Sequence, residues 1–184
     1  PHGEIKLDQH EINIDDFTNL KDTIHAAILC NNSELSKTNG QWQLHGNPTD
    51  GALLAIGLKA KFDIELEKQN YPHTDLIPFQ SEHKFMATLH HDHEGNGYIY
   101  VKGAPEKILA MCNNLDSEYW NKHINDLAYQ GERVVAVAMK ATTTEHRNLN
   151  FNDVASELIM LGIFGIIDPP REEAIKAVAD CQYA

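Results

Sequence analysis

Basic residues are in short supply: 15 Lys and Arg stand against 27 Asp and Glu, a formal net charge of −12 over 184 residues with histidine neutral. A surface that acidic repels phosphodiester backbones, which excludes nucleic acid as a partner. A small nucleotide remains possible wherever a few cations converge locally. Cysteine is equally sparse. Cys30, Cys112 and Cys181 are odd in number and widely spaced, which excludes a disulfide framework or a thiolate metal site and points to a reducing compartment. Long hydrophobic runs are missing. The longest apolar stretch, Leu158 to Ile167, is about half of what a membrane helix needs. No signal or transit peptide is visible, and the chain opens at Pro1 rather than methionine, so it reads as a piece of a longer protein. No Gly-x-x-x-x-Gly-Lys-Ser/Thr loop for cradling phosphates is present.

What is present is enough for one folded domain, since 42% of the residues are apolar. Phe17, Leu20, Ile24, Ala27 and Ile28 recur at helical spacing and predict a helix from Asp16 to Cys30, stopped by Asn31-Asn32. Asn47-Pro48-Thr49-Asp50-Gly51 has the form of a helix start, with an asparagine cap, a proline at the first position and an acid in the first turn. That helix continues from Ala52 to Ala60. Lys84 to His90 and Gly97 to Lys102 alternate as two strands of a hairpin around Glu94-Gly95-Asn96-Gly97. Helices are predicted at Pro105 to Cys112, Ser117 to Gln130 and from Arg171 onward, strands at Arg133 to Lys140 and Leu158 to Ile167. The polar stretch Thr142 to Asp153 reads as a mobile loop. Hairpins with helices set between them predict an α+β domain: a twisted, largely antiparallel sheet flanked by helices.

Three segments carry residues suited to chemistry. In Pro78-Phe79-Gln80-Ser81-Glu82-His83-Lys84-Phe85-Met86, an aromatic in a bend precedes a lysine on a strand. Such a pair can stack a flat base and hold its phosphates; equally, Phe79 and Met86 can be core residues and Lys84 solvated. Lys102-Gly103-Ala104-Pro105-Glu106 sets a cation at the end of a strand, with a glycine beside it and a proline opening a helix. It can be a ligand edge or a surface lysine next to a helix cap. Gly131-Glu132-Arg133 puts an arginine at the start of a strand, able to fork onto a phosphate or to stand free in solvent. His90, His91 and His93 cannot readily converge on a metal, because neighbours on a strand point to opposite faces. His10, His25 and His45 read as solvated surface.

Taken in order, Gly46-Asn47-Pro48-Thr49-Asp50-Gly51-Ala52-Leu53, Pro78-Phe79 with Ser81, Lys84 and Met86, Lys102-Gly103-Ala104-Pro105-Glu106, Gly131-Glu132-Arg133 and Asp168-Pro169-Pro170-Arg171 closely resemble the nucleotide-binding domain of P-type cation-transporting ATPases. The likeness is greatest to the type II branch, which contains calcium and sodium/potassium pumps, and it covers essentially the whole chain. The resemblance implies that Phe79 stacks on adenine, that Asp50 reaches the adenine edge, and that Ser81, Lys84, Met86 and Lys102 line the pocket. It further implies that Arg133 meets the phosphates and that Gly103 lets the ligand lie against the backbone. Asp168, Pro169, Pro170 and Arg171 mark a hinge, so residues 1–167 are expected to be the nucleotide-binding domain and 168–184 the hinge and the start of a phosphorylation domain.

Two departures stand out. Asp50 is one methylene shorter than the glutamate of many relatives. His83 replaces a frequent arginine, which suggests phosphate-side affinity that varies with pH. The family's Asp-Lys-Thr-Gly-Thr phosphorylation motif and its Mg²⁺-coordinating acids are absent, so no catalytic or metal-ligating residue is expected in this chain. The implied whole is an ATP-driven cation pump, calcium being the expected ion, that uses Mg-ATP with Mg²⁺ held mainly by the phosphorylation domain. The chain is then a monomeric cytoplasmic domain of an integral membrane protein. Its partners are the adenine nucleotide and the phosphorylation and actuator domains of the same chain. The alternatives are a freestanding nucleotide-binding regulatory module, or a hydrolase built on the histidine cluster.

Overall fold

Apolar alternation in successive segments, broken by turn residues, gives the chain an antiparallel meander with helices laid over it. The computed structural model describes residues 3–168 and 172–182. A short hairpin (β1, Lys6–Leu7; β2, His10–Glu11) precedes helix α1 (Thr18–Leu29), a second hairpin (β3, Glu34–Thr38; β4, Gln41–His45) and helices α2 (Pro48–Lys59) and α3 (Ile64–Asn70). Strands β5 (His73–Ile77), β6 (Phe85–His91) and β7 (Asn96–Gly103) follow, then α4 (Pro105–Met111), α5 (Ser117–Tyr129), β8 (Arg133–Thr143), α6 (Phe151–Val154), β9 (Ile159–Ile166) and α7 (Glu172–Gln182). The main sheet is five-stranded in the order β5-β6-β7-β8-β9, every pair antiparallel. This is the α+β architecture that the sequence predicts.

Directly opposed residues share a face of a sheet, and the register separates two cores. Phe85, Ala87, Leu89, Ile99, Val101, Ala136 and Ala138 lie on one face under Ile108 of α4, Val154 of α6 and Leu158. Met86, Tyr100 and Val137 lie on the other, under Ala26, Ala27 and Leu29 of α1 and Leu53 of α2. Helix α1 approaches β9 closely, and the Thr23 hydroxyl donates to the Leu161 carbonyl at 3.0 Å. A smaller core of Ile14, Ile24, Ile28, Leu54 and Ala60 joins α1 to α2.

Three expectations change. The stretch Thr142 to Asp153 is not simply a polar loop: β8 runs on to Thr143 and α6 begins at Phe151. Within it Leu149 is buried, and its backbone N–H donates to Asp75 Oδ2 at 2.7 Å. His25 is not solvated; its ring meets Tyr71 edge-on at 4.8 Å and its Nε2 lies 2.9 Å from Glu67 Oε2. Lys84 is not on a strand, since its φ of 58° turns the backbone left-handed just before β6. His90 and His91 do lie on opposite faces of β6: His90 Nδ1 bonds to the Tyr71 carbonyl at 2.9 Å and His91 Nδ1 to the Thr74 hydroxyl at 2.7 Å. Pro169, Pro170 and Arg171 lie outside the described residues, and Asp168 is exposed.

Candidate functional site

The end of the sheet where β7 finishes and β8 begins gathers the motifs. In the register, Met86 pairs with Lys102 and Lys102 with Val137, so Met86 and Lys102 face the α1–α2 side. Arg133 and Val137 are four apart on β8 and share that face. Helix α2 starts above them. Its cap is local: Asn47 Oδ1 accepts from the Thr49 N–H at 2.8 Å, and Pro48 opens the first turn. This start sets Thr49 and Asp50 against the sheet.

The contacts join four separate motifs. Lys102 Nζ donates to Asp50 Oδ1 at 2.7 Å, and the two side chains are only 5% and 14% exposed. Arg133 Nη1 donates to the Thr49 hydroxyl at 3.1 Å. Lys84 Nζ lies 3.3 Å from Glu106 Oε1, with both groups well exposed, a pair worth little on its own. The lysine at the strand end is therefore no surface residue. It is buried, charged and matched by the acid of the α2 start. Cys30 lies behind the pair, and burial pushes its thiol up to about 11.

Phe79 sits in the β5–β6 connection and is 58% exposed. That connection is tightly closed: the Lys84 N–H donates to the Gln80 carbonyl at 2.8 Å, and His83 Nε2 lies 3.0 Å from the Pro78 carbonyl. The His83 ring packs edge-on to Phe85 at 4.6 Å and Phe151 at 5.2 Å, so the position serves the loop's own packing. Ser81 is exposed and Met86 is buried in the floor. The space beside Gly103 is filled by protein. A Cβ there would lie 2.7 Å from the Phe85 Cα, and Ala104 N–H donates to the Lys84 carbonyl at 3.0 Å. Glycine is required at that position by the close approach of the β6 backbone. Sequence reasoning missed Thr49 as the Arg133 partner, Glu106 as the Lys84 partner, and the Asn31–Ser33 segment that underlies the α2 start. Only Asn31-Asn32, read as a helix stop, carried any signal for the last.

Contacts among four motifs at one end of an α+β sheet set a buried lysine–aspartate pair beside two exposed cations, Lys84 and Arg133. The chain belongs to the P-type ATPase family: the model for the P-type ATPase cytoplasmic domain N matches residues 19–173. It is 39% identical over 176 residues to the cation-transporting ATPase pma1 of Synechocystis, covering 90% of this chain and 19% of that protein. A calcium-transporting ATPase of Bacillus subtilis is 32% identical over 199 residues, covering all of this chain and 22% of that one. Calcium-transporting ATPase 1 of Lactococcus lactis is 31% identical over 173 residues, covering 88% and 19%. The chain thus spans about a fifth of the length of these relatives. Among the described residues no helix is long and apolar enough to cross a membrane.

Proposed function

We propose that residues 1–167 bind the adenine nucleotide of a cation pump and that the segment from Asp168 leads back to its phosphorylation domain. The observation that carries this is the convergence of Asp50–Lys102, Thr49–Arg133 and Lys84–Glu106 at one sheet edge. It gives a site with a buried charge pair as floor and two exposed cations at the rim. Phe79 supplies the stacking platform for the base, worth about 1–3 kcal/mol for a base on an aromatic. Asp50 offers an acceptor to the exocyclic amine while Lys102 holds its carboxylate in place. Lys84 and Arg133 meet the polyphosphate as point charge and fork respectively. Ser81 and Met86 line the edges.

The chemistry happens elsewhere. Among the described residues no three His, Cys, Asp or Glu side chains gather to hold a metal; the Mg²⁺ that accompanies ATP would take its ligands from phosphates, water and one or two carboxylates, left here mainly to the phosphorylation domain. The chain presents the γ-phosphate to an aspartate on the neighbouring phosphorylation domain, and domain movement about the hinge delivers it. The actuator and membrane domains would complete a cytoplasm-facing pump. Calcium is the ion we propose, since calcium-transporting relatives match the whole chain or nearly so.

One stacking contact and a few solvent-exposed charges must offset the entropy lost on docking, so affinity is expected on the order of 0.1–1 mM, roughly −4 to −5.5 kcal/mol. An NMR titration of this chain with ATP tests the reading. Phe79→Ala should weaken ATP by about tenfold or more without loss of stability, because the ring is exposed. Wild-type affinity in Phe79→Ala removes the stacking role, and sustained ATP turnover by the chain alone removes the non-catalytic one.

A further inference from the structure

Behind the α2 start lies a buried polar chain that touches none of the groups assigned to the nucleotide except through the backbone. Asn31, 9% exposed, lies two residues past the end of α1, just after its cap residue Cys30. Its Nδ2 donates to the Asp50 carbonyl at 2.9 Å and to the Ala27 carbonyl at 3.4 Å, and its Oδ1 accepts from the Ser33 N–H at 2.9 Å. The Ser33 hydroxyl, 2% exposed, accepts from the Asn47 N–H at 2.9 Å and donates to the Asn47 carbonyl at 3.4 Å. Asn47 in turn caps α2 through the Thr49 N–H. Gly46, with φ of +122°, admits this approach, for a Cβ there would run into the Ser33 side chain. The end of α1 is therefore tied to the start of α2 by directional bonds.

The rest of α2 is held by apolar packing of Leu53 and Leu54. Hydrophobic burial is non-directional, so it fixes the helix against the sheet without fixing its rotation or slide. A fully satisfied buried polar network does fix one arrangement. We propose that Asn31 is a positioning residue of the nucleotide site: by holding the Asp50 backbone and, through Ser33, the Asn47 cap, it sets where the Asp50 carboxylate meets Lys102 and where Thr49 meets Arg133. Asparagine suits the task because one planar amide supplies two donors and an acceptor in fixed geometry. Aspartate lacks the donors, and glutamine is a methylene too long. Without the clamp, a ligand has to order Asp50 and Lys102 itself, and that ordering is subtracted from its affinity.

The inference rests on the nucleotide reading for its affinity effect, and the test separates the two. Asn31→Ala and Ser33→Ala are made in this chain beside Ile108→Val, a core change on the opposite face of the sheet. Two quantities are read: the ¹⁵N–¹H signal of the Lys102 ammonium without nucleotide, identified by its loss in Lys102→Met, and the ATP dissociation constant by NMR titration. Asn31→Ala should lose the slowly exchanging Lys102 signal and weaken ATP about tenfold, and Ser33→Ala about threefold, while Ile108→Val keeps both. A folded Asn31→Ala with the wild-type Lys102 signal and wild-type affinity overturns the proposal, as does an equal loss of both in Ile108→Val. If the wild-type chain binds no ATP, the nucleotide reading fails and the Lys102 signal alone decides the role of Asn31. Should Asn31→Ala not fold, Ser33→Ala carries the same decision.

Discussion

The Asp50–Lys102 pair should respond asymmetrically to losing either partner. Asp50→Ala strands an ammonium whose side chain is 5% exposed, with no second carboxylate among the described residues bonded to it. Lys102→Met keeps the apolar stem and leaves a carboxylate that is 14% exposed and sits in the first turn of α2. Water and the positive end of the helix both support that carboxylate. Breaking a buried pair from one side costs about 3–5 kcal/mol. Asp50→Ala should fall at the lower edge of that range, about 3 kcal/mol, and Lys102→Met at about 1–2 kcal/mol, because its orphan keeps partial hydration. The double variant leaves no unpaired charge and should cost about 1–2 kcal/mol, less than Asp50→Ala alone, giving a coupling energy of about 2–4 kcal/mol. Urea unfolding followed by circular dichroism at pH 7 reads this directly. With a slope of about 2 kcal/mol per molar, Asp50→Ala lowers the midpoint by about 1.5 M. Equal costs for the two single variants, or strict additivity in the double, would refute the assignment of a buried, mutually dependent pair.

Two further outcomes follow from buried titrating groups. His90 donates Nδ1–H to the Tyr71 carbonyl, and burial lowers its pKa to about 4; since the neutral form is favoured in the folded state, its contribution to stability is complete above the unfolded value near 6.5 and is lost as pH falls toward 4. Between pH 7 and pH 5 this amounts to about 2 kcal/mol, which His90→Gln should largely remove from the acid limb of a urea-midpoint profile; an unchanged limb would show that other groups govern it. Cys30 is fully buried with its thiol pushed up to about 11, while Cys181 is exposed. Iodoacetamide at pH 8 should label Cys181 first and spare Cys30 until the chain unfolds, and peptide mapping that finds Cys30 labelled at a similar rate in the native chain would count against that burial.

Where local chemistry dominates, the sequence was readable. The Asn47 cap and the helix-opening Pro105 placed α2 and α4, and apolar alternation placed β6 to β9 to within a few residues. The β3–β4 hairpin escaped although Asn39-Gly40 marks its turn, because Leu35, Trp42 and Leu44 are its only large apolar residues and the strands are almost wholly exposed. Strand β5 escaped for a similar reason: His73, Thr74 and Asp75 give it no apolar alternation, and only its pairing with β6 makes it a strand. In the site, the residue types were legible and their partners were not. Lys102 announces a cation at a strand end, but nothing near it in the chain says that Asp50, 52 residues earlier, will neutralise it. Gly103 announced open space, whereas the close neighbour proved to be the backbone at Lys84 and Phe85, which only strand pairing could bring there.

The order of the main sheet has a kinetic consequence. Each strand pairs with its neighbour in the chain; the β5–β6 and β6–β7 closures are short and fast, while β7–β8 must first span α4 and α5. The Asp50–Lys102 and Thr49–Arg133 contacts instead close separations of 52 and 84 residues, and they need α2 already seated on a finished sheet. A partly assembled meander would contain the strands that carry Lys102 and Arg133 and still lack their contacts with α2, so those contacts form only once helix and sheet have met.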